Sequence, residues 1–254
     1  DPLIHLPVLA ANQQFRFLWD LSPELSIAAA GECQHLRLAG PKRFPLAQKF
    51  SDEVIGQLID ACLEAPSISL PRILFAFSFF DQNKSDQNSV DRSCSLHAVL
   101  PRWQLSLKGN AAWLRLNSVI NQKSEIREIA EHIWIMREQL LKSSSSLVLS
   151  TSNRPVLKSV SQEWKTSYRA SLTKGIDLVR NGELDKLVIA ACQSIHLHST
   201  MDPLVPLSRL RHQQTGSCRF LWQINSNQSF FGASPERLIS LNKGQLRTDA
   251  LAGT

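Results

Sequence analysis

Two long amphipathic helical patterns, at residues 124–142 and 162–180, stand between two groups of short strand-like segments. Apolar residues recur in both patterns at spacings of three and four, which places them on one face of a helix. The second pattern ends at Asn181-Gly182, a pair typical of helix C-termini. Helices inserted between groups of strands indicate an α+β fold, in which large antiparallel sheets carry helices on the outside.

The first strand group occupies most of residues 1–120 and contains one helical segment. Strands are predicted at 15–19, 27–30, 35–38, 73–79, 95–100 and 111–116, with a turn at Gly31 between the second and the third. Pro45 opens the helical segment, which is predicted to run to about Ala65. We therefore expect residues 1–142 to form a β-rich region with two helices, followed by a linker at 143–160.

The second strand group follows the helix at 162–180 and begins with a nearly continuous apolar run. This run, residues 184–192, has the length of a strand, a lysine near its start and a pattern typical of a strand covered on both faces. A short helix at 204–214 and two hairpins follow, with strands at 219–224, 229–233, 238–241 and 245–248. Residues 161–254 are expected to form a separate region after the linker.

Composition and charge limit the possible functions. The 254 residues carry a formal charge of +6 and a pI near 9.2, but the basic residues are scattered, which is typical of a solvated surface and does not favour nucleic-acid binding. The five cysteines are widely spaced, which favours buried thiols in a reducing compartment over disulfides or a zinc site. No apolar run approaches the roughly 20 residues of a membrane span, and no G-x-G-x-x-G motif is present.

Lys186 stands where a core-building sequence rarely places a lysine. Strand alternation puts it on the same face as Val188 and Ala190. Apolar neighbours disfavour the charged form of a lysine and lower its pKa from about 10.4, which makes the amine a general base near neutral pH. A lysine at the start of an edge strand, with its ammonium group in water, fits the same local pattern.

Glu236 is the second candidate for chemistry. It follows the aromatic residues Phe230 and Phe231 and a bend that contains Pro235. A carboxyl group close to buried aromatic rings can keep its proton at neutral pH and serve as a general acid. A surface turn with a Glu-Arg pair fits the same residues, and spacing alone does not show that Glu236 and Lys186 converge.

Three blocks of sequence resemble consecutive motifs of the chorismate-utilising enzymes, in the same order. They are GELDKLVIA at 182–190, FGASPERL at 231–238 and TDALAGT at 248–254. Weaker matches at 17–19, 29–31, 42–44, 71–81 and 99–103 are similar to the N-terminal part of isochorismate synthases. The resemblance implies the α+β fold of this superfamily, which is also the fold of aminodeoxychorismate synthase.

The resemblance also implies roles for individual residues. Family members that use water carry a lysine at the position of Lys186, where it activates the water, whereas ammonia users typically carry glutamine. The aminodeoxychorismate branch typically has a substrate-attacking lysine at the position of Ala252. Glu236 is implied to be the general acid that protonates the departing C4 hydroxyl of chorismate. Ala252, Gly253 and Thr254 are implied to line the substrate pocket, where backbone N–H groups can meet a carboxylate.

The family also requires magnesium to hold the substrate carboxylate. Its metal ligands lie downstream of the third block, so the resemblance assigns no residue of this chain to the metal, and Asp249 is interpreted as structural. We therefore expect the chain to be the N-terminal part of a longer catalytic domain, with the C-terminal part missing, and to be inactive alone. The arginine usual after the strand of Lys186 is Ala191 here, which leaves the proposed acid and base untouched.

These inferences predict an isochorismate synthase. Such an isomerase converts chorismate to isochorismate by adding water at C2 with loss of the C4 hydroxyl, for menaquinone, phylloquinone or siderophore synthesis. Salicylate synthase, which adds pyruvate elimination, is the close alternative, and a noncatalytic binding module is the alternative if the chain is complete. The protein is expected to be a monomer without membrane or nucleic-acid partners, located in the cytoplasm, or in a plastid if a transit peptide was removed.

Overall fold

The structure is a computed structural model that describes residues 2–21, 24–62, 64–81, 94–122, 125–143, 156–162, 164–242 and 244–248. The chain divides into two compact units, Asp1–Val148 with Pro203–Thr254, and Leu149–Asp202. The predicted division into residues 1–142, 143–160 and 161–254 stays a prediction, and most of its linker lies outside the described residues.

The first half of the chain contains α1 (Pro2–Leu9), β1 (Arg16–Asp20), β2 (Ser26–Leu38), α2 (Arg43–Gln57), β3 (Leu74–Phe77), β4 (Leu96–Lys108), β5 (Ala111–Leu116) and α3 (Glu125–Ser143). The second half contains β6 (Leu157–Val160), α4 (Trp164–Arg180), β7 (Ile195–Leu197), α5 (Leu204–Gln213), β8 (Cys218–Asn225), β9 (Gln228–Ser234), β10 (Ser240–Asn242) and β11 (Gln245–Arg247). A short 3-10 turn lies at Ser67–Ser69.

A seven-stranded antiparallel sheet organises the first unit; six strands follow the order β3-β4-β2-β1-β8-β9, and the seventh, β5, pairs with β4. The long strand β4 pairs with β3 through its first half and with β5 through its second half. Strand β8 pairs with β1, so residues about 200 positions apart lie side by side, as Leu18 does with Leu221. Leu18, Ala29 and Val99 are fully buried in this sheet, and the sheet places the hairpin β8–β9 next to the chain's first strand.

Strand β2 replaces the two strands and the Gly31 turn expected from the sequence. It runs through the glycine as one strand of 13 residues, and its register against β4 shifts between Glu32 and Gln34. Gly31 has a φ of 71° and its N–H donates to the carbonyl of Phe15 at 2.9 Å. The expected turn was wrong because a β-bulge absorbs the irregular backbone while pairing with β4 continues on both sides.

The helices of the sequence pattern are confirmed with one correction at an end and one omission. Helices α3 and α4 begin and end within two residues of the predicted bounds, and Gly182 ends α4 with a φ of 73° and an N–H bond from Glu183 to the carbonyl of Leu178 at 3.0 Å. Helix α2 ends at Gln57 and not near Ala65, because Leu58 turns to an extended backbone. Helix α1, which buries Leu6, was not predicted.

The cysteines are all free, as expected, but their burial was only partly predicted. Cys218 is buried, and that burial, together with the nearby charge of Asp20, raises the pKa of its thiol to about 12. Cys62 and Cys192 are exposed, so the expectation of buried thiols is wrong for these two. Among the described residues, no helix has the length and apolar character needed to cross a membrane.

A buried ion pair links strand β1 to strand β8. The Arg219 guanidinium donates to the Asp20 carboxylate, from Nε at 2.9 Å and also from Nη2, and the two side chains are 2% and 6% exposed. Arg219 Nη1 donates to the carbonyl of Leu207 in α5 at 3.0 Å. Ser26 completes the group by donating to Asp20 Oδ1 at 3.1 Å and accepting the N–H of Leu21 at 3.0 Å. One network therefore fixes the start of β2, the end of β1 and α5.

A second polar cluster surrounds Glu32 at the bulge of β2. Its carboxylate contacts His97 Nε2 at 2.9 Å, His35 Nδ1 at 3.0 Å and Arg37 Nη2 at 3.0 Å. Burial alone would raise the pKa of Glu32, but the hydrogen bonds from His97 and Arg37 outweigh it and lower the pKa from 4.5 to about 2. The carboxylate therefore ties β2 to β4 at the point where their register shifts.

This cluster predicts an acid-sensitive contribution to stability. Because the folded-state pKa of Glu32 is depressed, its contribution is fully present above the unfolded value of 4.5 and is lost as pH falls toward about 2. We expect Glu32→Gln to lower the free energy of unfolding at neutral pH by about 1–2 kcal/mol, with the gap to wild type closing below pH 4.5. Thermal melts of the protein at its full natural length across this range, with exposed Glu131→Gln as control, measure the gap. A gap that does not change with pH would contradict this assignment.

Candidate active site

Lys186 lies in the second compact unit, a few residues after α4. Residues 186–194 form neither helix nor strand, and the Lys186 side chain is exposed. Val188 is 81% exposed and Leu187 is 45% exposed. The predicted strand covered on both faces is therefore wrong for the described residues, because a strand needs a hydrogen-bonded neighbour and none of the described strands pairs with this segment.

Helix α4 holds the segment after Lys186 through a glycine. A Cβ added at Gly175 would lie 2.5 Å from Leu187 Cδ2 and 3.3 Å from Ile189 Cδ1, so the missing side chain makes room for these two residues. Gly175 is buried within an otherwise largely exposed helix. The alternation predicted from the sequence thus survives in part: Leu187 and Ile189 face α4, and Val188 faces outward.

A cleft of about 320 Å³ lies in the same unit, between α4 and the end of the apolar run. Lys186 does not contribute to its lining, which consists of Ser161, Trp164, Ser167, Tyr168, Ser171, Ile189, Ala190, Ala191, Cys192 and Ser194. Trp164 and Tyr168 meet edge to face with ring centroids 6.0 Å apart. The aromatic residues of α4 therefore pack against one another beside the segment that carries Lys186.

Glu236 lies in the first unit, between β9 and β10. Residues 235–239 have no regular structure, and the Glu236 side chain is exposed. The expected burial against aromatic rings is wrong. Phe230 is 70% exposed and pairs with Trp222, four residues before the end of β9. The bend instead presents the carboxyl group to solvent two residues after the last residue of β9.

The glycine of the FGASPERL block has a packing role in the hairpin β8–β9. Gly232 pairs with Phe220 across the two strands, and a Cβ added at Gly232 would lie 3.1 Å from Phe220 Cζ. The ring of Phe220 therefore covers the backbone of β9, and its centroid is 5.2 Å from that of Phe230. A larger side chain at position 232 would therefore displace this ring, two residues before the end of β9.

The remaining predicted site residues, Ala252, Gly253 and Thr254, lie outside the described residues, as does Asp249. Among the residues that the structure does describe, no group of three or more His, Cys, Asp or Glu side chains is arranged to hold a metal ion. The described residues therefore include no candidate set of magnesium ligands. Lys186 and Glu236 belong to different units, and their convergence on one substrate stays a prediction.

Sequence reasoning missed the residues that hold the Glu236 bend from a distance. Arg237 donates from Nη2 to both carboxylate oxygens of Glu24, at 3.0 and 3.2 Å. Glu24 lies in the connection between β1 and β2, 213 positions away. No local pattern marks such a pair, because only the pairing of β1 with β8 brings the two connections to the same region of the fold.

Comparison with known proteins places these residues in a family. The sequence profile of a family described as "Chorismate binding enzyme" matches residues 1–254. The isochorismate synthase MenF of Escherichia coli is 28% identical over 158 residues, which cover 61% of this chain and 35% of that protein. The salicylate biosynthesis isochorismate synthase of Pseudomonas aeruginosa is 24% identical over 269 residues, which cover 100% of this chain and 52% of that protein.

The fold agrees with the sequence comparison. The solved structure of MenF, the menaquinone-specific isochorismate synthase from Escherichia coli, superposes with a TM-score of 0.60 at 19% identity, covering 94% of this chain and 48% of that one. The chain thus spans about a third to a half of the length of these relatives. A family match over the whole chain, together with the expected α+β fold of antiparallel sheet and outer helices, shows that this chain belongs to the chorismate-binding enzymes.

Proposed function

We propose that the protein is an isochorismate synthase, an isomerase that converts chorismate to isochorismate. The observation that carries the proposal is a lysine at position 186 in a chain whose whole length matches the chorismate-binding enzymes. The two relatives described above are both named isochorismate synthases, which supports the same activity. The name of the solved relative supports a role in menaquinone synthesis, and phylloquinone or siderophore synthesis would use the same product.

In the proposed reaction, Lys186 takes a proton from a water molecule while the oxygen of that water molecule bonds to C2 of chorismate. The double bonds of the ring shift, the bond between C4 and its hydroxyl breaks, and Glu236 gives the leaving group a proton so that it departs as water. The acid and the base each return to their starting state through solvent. Ala252, Gly253 and Thr254 would meet the substrate with backbone N–H groups.

The base has to be uncharged when it accepts the proton, which for a lysine requires removal from water. Lys186 is exposed among the described residues. We therefore propose that bound substrate, together with protein outside the described residues, shields its amine from bulk water. Magnesium, where it is bound, would neutralise the substrate carboxylate. The described residues offer no site for it, and we expect its ligands downstream of Thr254.

The product formed from chorismate tests this proposal. We expect the protein at its full natural length, incubated with chorismate and magnesium, to accumulate isochorismate as resolved by chromatography. Salicylate accumulating without an added lyase would favour salicylate synthase instead. No turnover, together with tight binding of chorismate, would favour a noncatalytic binding module. We also propose that the enzyme is a monomer located in the cytoplasm. Sedimentation of the same preparation measures the oligomeric state.

A further inference from the structure

The bend that carries Glu236 has little backbone support of its own. Strand β9 ends at Ser234, β10 begins at Ser240, and Pro235 has no N–H to donate. Among the described residues, 235–239 make no backbone–backbone hydrogen bond with another segment. A carboxyl group on such a bend needs side-chain contacts to keep one position, since five residues without regular structure otherwise sample many conformations.

Three side-chain contacts hold the bend. Ser234 Oγ donates to the carbonyl of Glu236 at 3.3 Å, and Thr248 Oγ1 donates to the carbonyl of Leu238 at 2.9 Å. Ser234 is the last residue of β9, and Thr248 follows β11, which pairs with β10. Both contacts therefore come from residues close to the bend. The third contact comes from far along the chain, where Arg237 Nη2 reaches both carboxylate oxygens of Glu24 at 3.0 and 3.2 Å. This ion pair involves the residue directly next to Glu236.

Glu24 lies between residues of a buried network. Its N–H donates to the carbonyl of Leu21 at 2.9 Å. Ser26, two residues later, is 1% exposed and is bonded to the Asp20 carboxylate, which the buried Arg219 guanidinium also holds. This buried and charged network thus holds the chain on both sides of Glu24.

We infer that Glu24 is a positioning residue for Glu236 and acts through Arg237. The inference rests on the proposed function, because it assigns Glu24 a role only if Glu236 is the general acid. Through Arg237, Glu24 ties the irregular bend to the buried network of Asp20 and Ser26, so the carboxyl group of Glu236 is held where it meets the leaving hydroxyl. Positioning of this kind acts on turnover, because small misplacements of a catalytic group cost rate without weakening substrate binding equally.

A contribution to global stability alone does not explain the contact between Glu24 and Arg237. The Glu24 side chain is 56% exposed and that of Arg237 is 23% exposed, and ion pairs at such exposure contribute little to global stability. Loss of the pair should therefore leave the melting temperature nearly unchanged. It should release the bend locally, which turnover and backbone order parameters from NMR relaxation both report.

Kinetics of single and double variants at full natural length test the inference. We expect Glu24→Gln and Arg237→Gln each to lower kcat about tenfold with KM changed less than about twofold. The double variant should lose no more than either single variant, because both remove the same contact. Glu53→Gln, which breaks the exposed pair with Lys49 at 3.7 Å, is the matched control and should keep the wild-type kcat. Additive losses, or an unchanged kcat in Glu24→Gln, would overturn the inference.

Two further readouts separate this inference from the proposed function. If Glu236→Gln keeps its activity, the general-acid role is wrong. If Glu236→Gln is inactive while Glu24→Gln turns over normally, only the positioning role is wrong. Backbone order parameters from NMR relaxation at residues 236–239 report the motion of the bend whether or not the protein turns over chorismate. We expect lower order parameters there in Glu24→Gln than in wild type, and equal values would overturn the inference.

Discussion

Replacing Lys186 with alanine is expected to lower kcat by about 10²- to 10⁴-fold in the protein at its full natural length, the range typical for loss of a general base. The side chain is exposed in the described structure, so its removal should change the free energy of unfolding by less than about 0.5 kcal/mol. A large loss of turnover in a protein that melts normally would assign the lysine to chemistry. Chorismate turnover and a thermal melt of the same preparation measure both quantities.

Two companion variants sharpen this result. Lys174→Ala removes an exposed lysine from α4, in the same unit, and should keep the wild-type kcat. Lys186→Gln introduces the glutamine that the resemblance associates with ammonia-using enzymes. Its rate of water addition should fall as far as that of the alanine variant. A Lys186→Ala enzyme that turns over at near the wild-type rate would show that another group activates the water.

Arg219→Met is expected to lower the free energy of unfolding by about 3–5 kcal/mol, because it leaves the Asp20 carboxylate buried without its cationic partner. Both side chains are almost fully buried, and the guanidinium also bonds the Leu207 carbonyl at 3.0 Å. One substitution therefore weakens the junction of β1, β8 and α5. Chemical denaturation of the full natural-length protein measures the loss.

The double variant Asp20→Asn with Arg219→Met distinguishes a buried charge from lost packing. Removal of both charges should destabilise the protein less than the two single losses added together, because no ion is then left without a partner. Arg127→Met serves as control, since its pair with Glu131 is exposed at 89% and 62%. A loss below about 1 kcal/mol in Arg219→Met would show that Asp20 finds other partners.

Local sequence pattern was sufficient for the elements whose periodicity and end signals lie within their own residues. The amphipathic stripes and the C-terminal glycine predicted α3 and α4, and the hairpin β8–β9 followed from alternation around a polar turn. Pattern failed where pairing with a distant segment decides the structure. Residues 184–192 carry the composition of a buried strand, yet none of the described strands pairs with them, and they stay exposed. The reverse holds at Gly31, where pairing with β4 carries the strand through a residue that favours a turn.

The candidate site divides in the same way. Lys186 and Glu236 are marked by short blocks of sequence, so their positions in the chain could be predicted before any fold was known. Their surroundings could not be predicted. Gly175 of α4 contacts Leu187, and Glu24 contacts Arg237, 213 positions away. Contacts of this kind depend on which elements pack together. Sequence therefore proposes candidates for the chemistry, and the fold shows which residues contact the segments that carry them.

The source of the new oxygen tests the central claim most directly. In the proposed reaction, water adds at C2 and the original C4 hydroxyl departs. Turnover of chorismate in water enriched in oxygen-18 should therefore give isochorismate with the heavy isotope in its C2 hydroxyl, as read by mass spectrometry of the separated product. Isochorismate that contains only the original oxygen would contradict the addition of water at C2, and with it the general-base role proposed for Lys186.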